Sequence, residues 1–186
     1  MSPLWRRFRL DDSGSSLVEA LTAATVVITI SMGVALLIVR STRAVWTAGA
    51  ESAAVFVAQQ KLEQLSALEW RIDAAGVSRS DLASDLSVDP PGAGGLGLQP
   101  SPGDALDRNI LGFADFVGPD GQWRGRGATA GSGTAFVRRW SVVPYPRDPA
   151  NTLVLTVVVL PVAESGARAT HPAAVRLQTI RTRTAR

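Results

Sequence analysis

Few side chains in this sequence are able to do chemistry. The 186 residues include no cysteine and a single histidine, His171. That excludes disulfides, thiolate metal sites, a cysteine nucleophile and any site needing two imidazoles. His171 lies in Thr170-His171-Pro172, a turn-like segment with no nucleophile motif beside it, and reads most simply as a solvated residue. Asp81, Asp85 and Asp89, spaced by four, would line one face of a helix. They lack the central glycine and terminal glutamate of a calcium loop. Gly92-Ala93-Gly94-Gly95-Leu96-Gly97 and Gly125-Arg126-Gly127-Ala128-Thr129-Ala130 formally match dinucleotide fingerprints. A phosphate cradle of that type needs a strand before it and a helix after it. Pro90-Pro91 precedes the first pattern and a Gly-Ser-Gly stretch follows the second, so neither reads as a cofactor site. The expectation is a protein that is not an enzyme, with no cofactor and no metal.

Glu19 is the residue that most needs explaining. From Ala20 to Val39 no residue is charged. At about 1.5 Å per residue, that run is long enough to cross roughly 30 Å of hydrocarbon as a helix. An ionisable side chain in a span costs on the order of 2.5 to 3.5 kcal/mol at its centre and usually has a partner. No basic residue close by on the helix answers Glu19. Arg6, Arg7 and Arg9 precede the run, and Arg40 and Arg43 follow it. With the terminal amine, this asymmetry favours a cytoplasmic N-terminus. Ala20 with Ala24, and Ser31 with Ala35, place small residues four apart, which permits close helix contacts. Overall the chain is 46% hydrophobic, 19% charged and +3 in formal charge. The charged share is below the roughly 25% usual for soluble domains, and the basic excess is too slight to imply nucleic acid.

Taken together, Gly14-Ser15-Ser16-Leu17-Val18-Glu19-Ala20-Leu21 resembles the processing and assembly motif of type IV prepilins and pseudopilins. The likeness comprises the glycine, the spacing to Glu19, the short basic leader and the long apolar span. It implies cleavage after Gly14 by a prepilin peptidase, with N-methylation of the new terminus at Ser15. Leu17, Val18 and Glu19 would then act in assembly, with the Glu19 carboxylate neutralising the amine of a neighbouring subunit. Two positions depart from the pattern and bear on processing. Ser13 stands where a basic residue commonly precedes the glycine, and Ser15 where phenylalanine is usual. The stretch Gln59-Gln60-Lys61-Leu62-Glu63-Gln64-Leu65 and the later Arg138-Arg139-Trp140-Ser141-Val142 also look like minor pilins of the PilV kind, and the former like minor pseudopilin I of type II secretion. The partners so implied are other pilin or pseudopilin subunits, the peptidase, the inner-membrane assembly platform, and membrane lipid before assembly. Two other readings stay open. Ala48-Gly49-Ala50 matches a general signal-peptidase site, which would release a soluble protein beginning at Glu51. Alternatively the chain is a single-pass anchored envelope binding module, an adhesin or nucleic-acid receptor, in which Glu19 is incidental.

The elements positioning these residues give five expected segments: a leader (1–14), a transmembrane or filament-core helix (15–39), its amphipathic continuation (40–76), a Gly/Pro-rich variable loop region (77–133) and an antiparallel strand region (134–186). Ala54, Val57, Ala58, Leu62, Leu65, Leu68 and Ile72 recur at helical steps, with Gly76 the expected stop. Gln59, Gln60, Glu63, Gln64 and Glu69 fall off that stripe, so the helix should lay one face on a domain. Ala135–Val143, Thr152–Leu160 and Ala174–Arg183 read as strands, with a shorter one around Ile110–Val117. Trp140 is the expected core residue. Thr152–Leu160 is apolar on both faces, as a central strand would be. The fold class is α+β, a helix packed on a small antiparallel sheet. Arg124, Arg126, Arg138 and Arg139, and Arg176, Arg181, Arg183 and Arg186, form two basic groups. A nucleic-acid surface would gather them on one face with Trp123 or Tyr145; a charged, solvated sheet edge is the simpler reading.

Overall fold

The computed structural model describes residues 13–82 and 93–183. The leader segment therefore lies almost wholly outside the described residues, as do Asp85, Asp89 and Arg186. The chain divides into two compact units, Met1–Ala48 and Gly49–Arg186. One helix, α1 (Ser13–Ala67), contributes to both.

The second unit is α+β, as expected. Its strands are β1 (Trp70–Ile72), β2 (Ser78–Ser80), β3 (Ala114–Val117), β4 (Trp123–Arg126), β5 (Phe136–Pro144), β6 (Thr152–Pro161) and β7 (Val175–Thr182). The first two form a hairpin, and the others an antiparallel sheet in the order β4-β3-β5-β6-β7. The three C-terminal strands lie within a residue of their expected bounds. Because side chains alternate across a strand, Phe136, Arg138, Trp140 and Val142 of β5 share one face. With Leu153, Leu155, Val157 and Val159 of β6 they meet Ala54, Val57, Ala58 and Leu65 of α1, and Leu68 just beyond it. Trp140 is fully buried in this core. The opposite face buries Phe116, Val137, Val158 and Leu160 beneath Leu106, Ala167, Ala169 and Ala174. β6 is thus covered on both sides, which explains its unbroken apolar run. Each such fully buried aliphatic side chain contributes about 1.5–3 kcal/mol.

The helix ends sooner than its periodicity suggests, at Ala67 rather than near Ala75. Beyond it, burial alternates: Leu68 and Trp70 are inside, while Glu69 and Arg71 are exposed and pair with each other at 2.9 Å. Two-residue spacing on one face belongs to a strand. Asp73 then closes the hairpin. Its Oδ1 accepts from the Ala75 and Val77 amides at 3.0 and 2.9 Å, and its Oδ2 from Arg79 at 3.0 Å. These bonds, the Val77 amide first, hold the Asp73 carboxyl below its usual range. Gly76 adopts φ +77°, so it serves this turn and not a helix terminus. Asp81 follows β2 outside any helix, so no acidic helical face starts there.

Arg181 of β7 takes over the helix terminus, donating to the Leu65 carbonyl at 2.7 Å and to that of Leu68. Unpaired carbonyls at a helix end are satisfied in this way by a cation that also suits the helix dipole. Burial pulls the Arg181 guanidinium pKa down, yet an arginine stays charged. Arg181→Gln is expected to lower stability by about 1–2 kcal/mol, read as a lower urea midpoint with an unchanged slope.

The segment expected as loop holds β2, β3 and β4. β3 occupies the end of the anticipated Ile110–Val117 strand. β4, Trp-Arg-Gly-Arg with Gly125 at φ +147°, has too little β-forming character to announce itself. Gly95, at φ +83°, would place a Cβ 2.4 Å from the Trp140 ring and 2.5 Å from the Gly112 carbonyl oxygen. The glycine pattern there lets the backbone pass against a buried tryptophan.

Candidate functional site

The first unit carries the predicted site. Gly14 and Ser15 stand in the opening turn of α1, their surroundings outside the described residues. Leu17 is 65% exposed, and Val18, Leu21 and the large apolar residues on to Val39 are exposed likewise. This is the one helix among the described residues long and apolar enough to cross a membrane. A water-facing helix would carry a polar face. Here the apolar residues surround the axis, which is the pattern of a segment solvated by lipid or by other apolar helices.

Three of the four hydroxyls in the run are satisfied internally. Thr22 Oγ1 donates to the Val18 carbonyl at 2.6 Å, Thr25 to Leu21 at 2.7 Å and Thr29 to Thr25 at 2.8 Å. Hydroxyls that bond four residues back leave no donor facing hydrocarbon. Glu19 has no such answer. It is exposed, and among the described residues no group pairs with its carboxylate.

The basic groups do not assemble into a surface. Arg138 is buried and grips Asp115 bidentately, Nε to Oδ1 at 2.9 Å and Nη2 to Oδ2 at 2.8 Å. Its Nη1 reaches the Val57 carbonyl and Gln60 Oε1, both at 3.2 Å. Lys61, the chain's sole lysine and fully buried, donates to the Gly94 carbonyl at 2.9 Å. It also lies 3.9 Å from Asp115 Oδ2 and 3.6 Å from the centre of the Trp140 ring. One carboxylate, two carbonyls, the Gln60 amide oxygen and one aromatic face are thus among the groups that answer two cations. Arg139 points to the other face, donating to Asn109 Oδ1 and to the carbonyls of Leu106, Ala167 and Ser165. Desolvation lowers its pKa. The cluster of Arg124, Arg126, Arg138 and Arg139 is therefore split between two buried positions and a strand edge, so the reading of all four as a charged, solvated sheet edge is corrected for Arg138 and Arg139. In the second group, Arg176 and Arg183 are exposed while Arg181 caps the helix.

Sequence reasoning missed the Lys61–Asp115–Arg138 set, because a buried charge leaves no mark in a hydrophobic pattern. It also placed Gln64 off the buried stripe, where the structure buries it. His171 is half-buried, with Nε2 3.7 Å from Glu164 and Nδ1 accepting from the Ala173 amide at 3.3 Å. Among the described residues, no three His, Cys, Asp or Glu side chains gather as a metal site. In comparisons with known proteins, no family model, curated protein or solved structure matches the chain.

Proposed function

We propose that this chain is a minor pilin or pseudopilin subunit. It is inserted in a bacterial cytoplasmic membrane with its N-terminus inside, cut by a prepilin peptidase after Gly14, and assembled into or at the tip of a type IV pilus or a type II secretion pseudopilus. The observation carrying this reading is Glu19: a carboxylate that no described residue answers, five residues after a glycine, at the head of a helix apolar all round. Cleavage creates a cation at Ser15. In an apolar helical bundle, that amine and the Glu19 carboxylate of a neighbour neutralise each other. At about 4 Å and an effective dielectric near 20 the pair gains roughly 4 kcal/mol of Coulomb energy before desolvation is subtracted. The subunit makes and breaks no bond. The apolar helix packs in the filament core, and the sheet domain, exported from the cytoplasm, is presented outside.

The test is the intact mass of the membrane-extracted protein from its native cell, with and without the peptidase. The expected result is loss of residues 1–14 only when the peptidase is present, with one added methyl marking Ser15. An unprocessed chain would leave Glu19 incidental and favour an anchored binding module. A chain starting at Glu51 would make it a secreted soluble protein.

A further inference from the structure

The apolar run of α1 ends abruptly in charge: Arg40 and Arg43 follow Val39, and Val45 and Trp46 come after them. All four side chains are exposed, Val45 at 69% and Trp46 at 76%. Neither guanidinium makes an ion pair or hydrogen bond among the described residues. The nearest carboxylate further along the chain is Glu51, eight residues beyond Arg43. On a helix, residues three apart are neighbours, and like charges so placed repel. Arg40, Arg43 and Trp46 therefore form one oblique row of two unanswered cations and an indole.

Two arginines at this end also need a reason. If the N-terminus is cytoplasmic, they sit on the exported side, where the charge bias of membrane proteins disfavours them. A group that would repay their presence is anionic, lies at the depth of the hydrocarbon boundary and has an apolar neighbour for the indole. Phospholipid headgroups satisfy all three conditions. A guanidinium takes a phosphate in bidentate fashion, and tryptophan prefers the headgroup level, with its ring in the apolar zone and its N–H toward water.

We infer that Arg40, Arg43 and Trp46 form a clasp for the phosphate headgroup of an anionic phospholipid at the outer end of the span. This rests on reading α1 as a membrane helix. The clasp sets how deep the unassembled subunit sits, and it must be released when the helix leaves the bilayer. The row differs from the basic groups of the sheet domain, whose members are buried in ion pairs, spent on carbonyls or spread along strand edges.

The test uses the full chain in nanodiscs of equal phosphatidylcholine and phosphatidylglycerol, with the lipids that stay bound on release counted by native mass spectrometry. The wild type is expected to retain phosphatidylglycerol over phosphatidylcholine by about tenfold, and Arg40→Gln/Arg43→Gln to retain the two equally. Arg40→Lys/Arg43→Lys should keep a reduced preference, since the charge remains while the bidentate geometry is lost. An unchanged preference in the double Gln variant would overturn the clasp, as would a preference that vanishes instead in Arg6→Gln/Arg7→Gln/Arg9→Gln. Resistance to alkaline extraction from phosphatidylcholine vesicles is measured alongside. If the wild type is extracted there, the membrane reading falls and the clasp with it. If it resists and only the lipid preference fails, the clasp alone is refuted.

Discussion

Asp115→Ala is expected to destabilise the sheet domain by about 3–5 kcal/mol, the cost of removing one partner from a buried ionic set. Asp115 is the carboxylate that both Arg138 and Lys61 approach, and all three side chains are buried. Without it, two cations remain in a site too closely packed to admit much water. The predicted fall in melting midpoint is about 10 °C or more, followed through the near-ultraviolet dichroism of the tryptophans in the detergent-solubilised chain. Lys61→Met should cost much less, because it removes a charge along with its need for a partner and keeps the stem against Trp140. Replacing Lys61, Asp115 and Arg138 together by apolar residues of similar volume should recover most of the loss. An Asp115→Ala cost below about 1 kcal/mol would mean that solvent reaches the site and that the set is not a buried one in the sense used here.

On the proposed pilin reading, Glu19→Ala is the second large effect, and it falls on assembly instead of folding. The carboxylate lies in the unit Met1–Ala48 and makes no hydrogen bond or ion pair among the described residues, so the sheet domain should melt as in wild type. Incorporation into filaments, measured by immunoblot of sheared filaments against the membrane fraction, should fall at least tenfold. That corresponds to losing about 1.4 kcal/mol of the net pair energy. Glu19→Gln should fail nearly as badly, because an amide cannot neutralise an amine. Wild-type incorporation of both variants would remove the assembly role. Recovery by Gln alone would show that a hydrogen bond, and not charge, is what matters.

How far the sequence could be read depended on the kind of signal each element carries. The apolar helix and β5 to β7 are long, strongly patterned runs, and both faces of β6 are apolar because both are covered. The end of α1 was misjudged because Leu65, Leu68 and Ile72 suit a helix as well as they suit a helix that turns into a strand. The choice falls to Asp73, whose carboxylate bonds are local, and to Arg181, which arrives from the far end of the chain. The ionic set was invisible for a related reason. A charge is read as solvated unless its partners are known, and Lys61, Asp115 and Arg138 meet only once helix and sheet have packed. Glu19 could be singled out from sequence because its cost in a span follows from the neighbouring residues alone.

The bond from Arg181 to the end of α1 has a temporal consequence. The carbonyls it satisfies, those of Leu65 and Leu68, lie at and just beyond the end of a helix made more than a hundred residues earlier in synthesis. The buried face from Ala54 to Leu68 likewise waits for β5 and β6. Contacts this distant in sequence form late, because loop closure must precede them. While β7 is missing, the chain displays the underside of a helix and one edge of β6, both adhesive. The last described strand thus acts as a latch on a domain that cannot close by halves, and the interval before it arrives is when the nascent chain is most exposed to proteases and to its own copies.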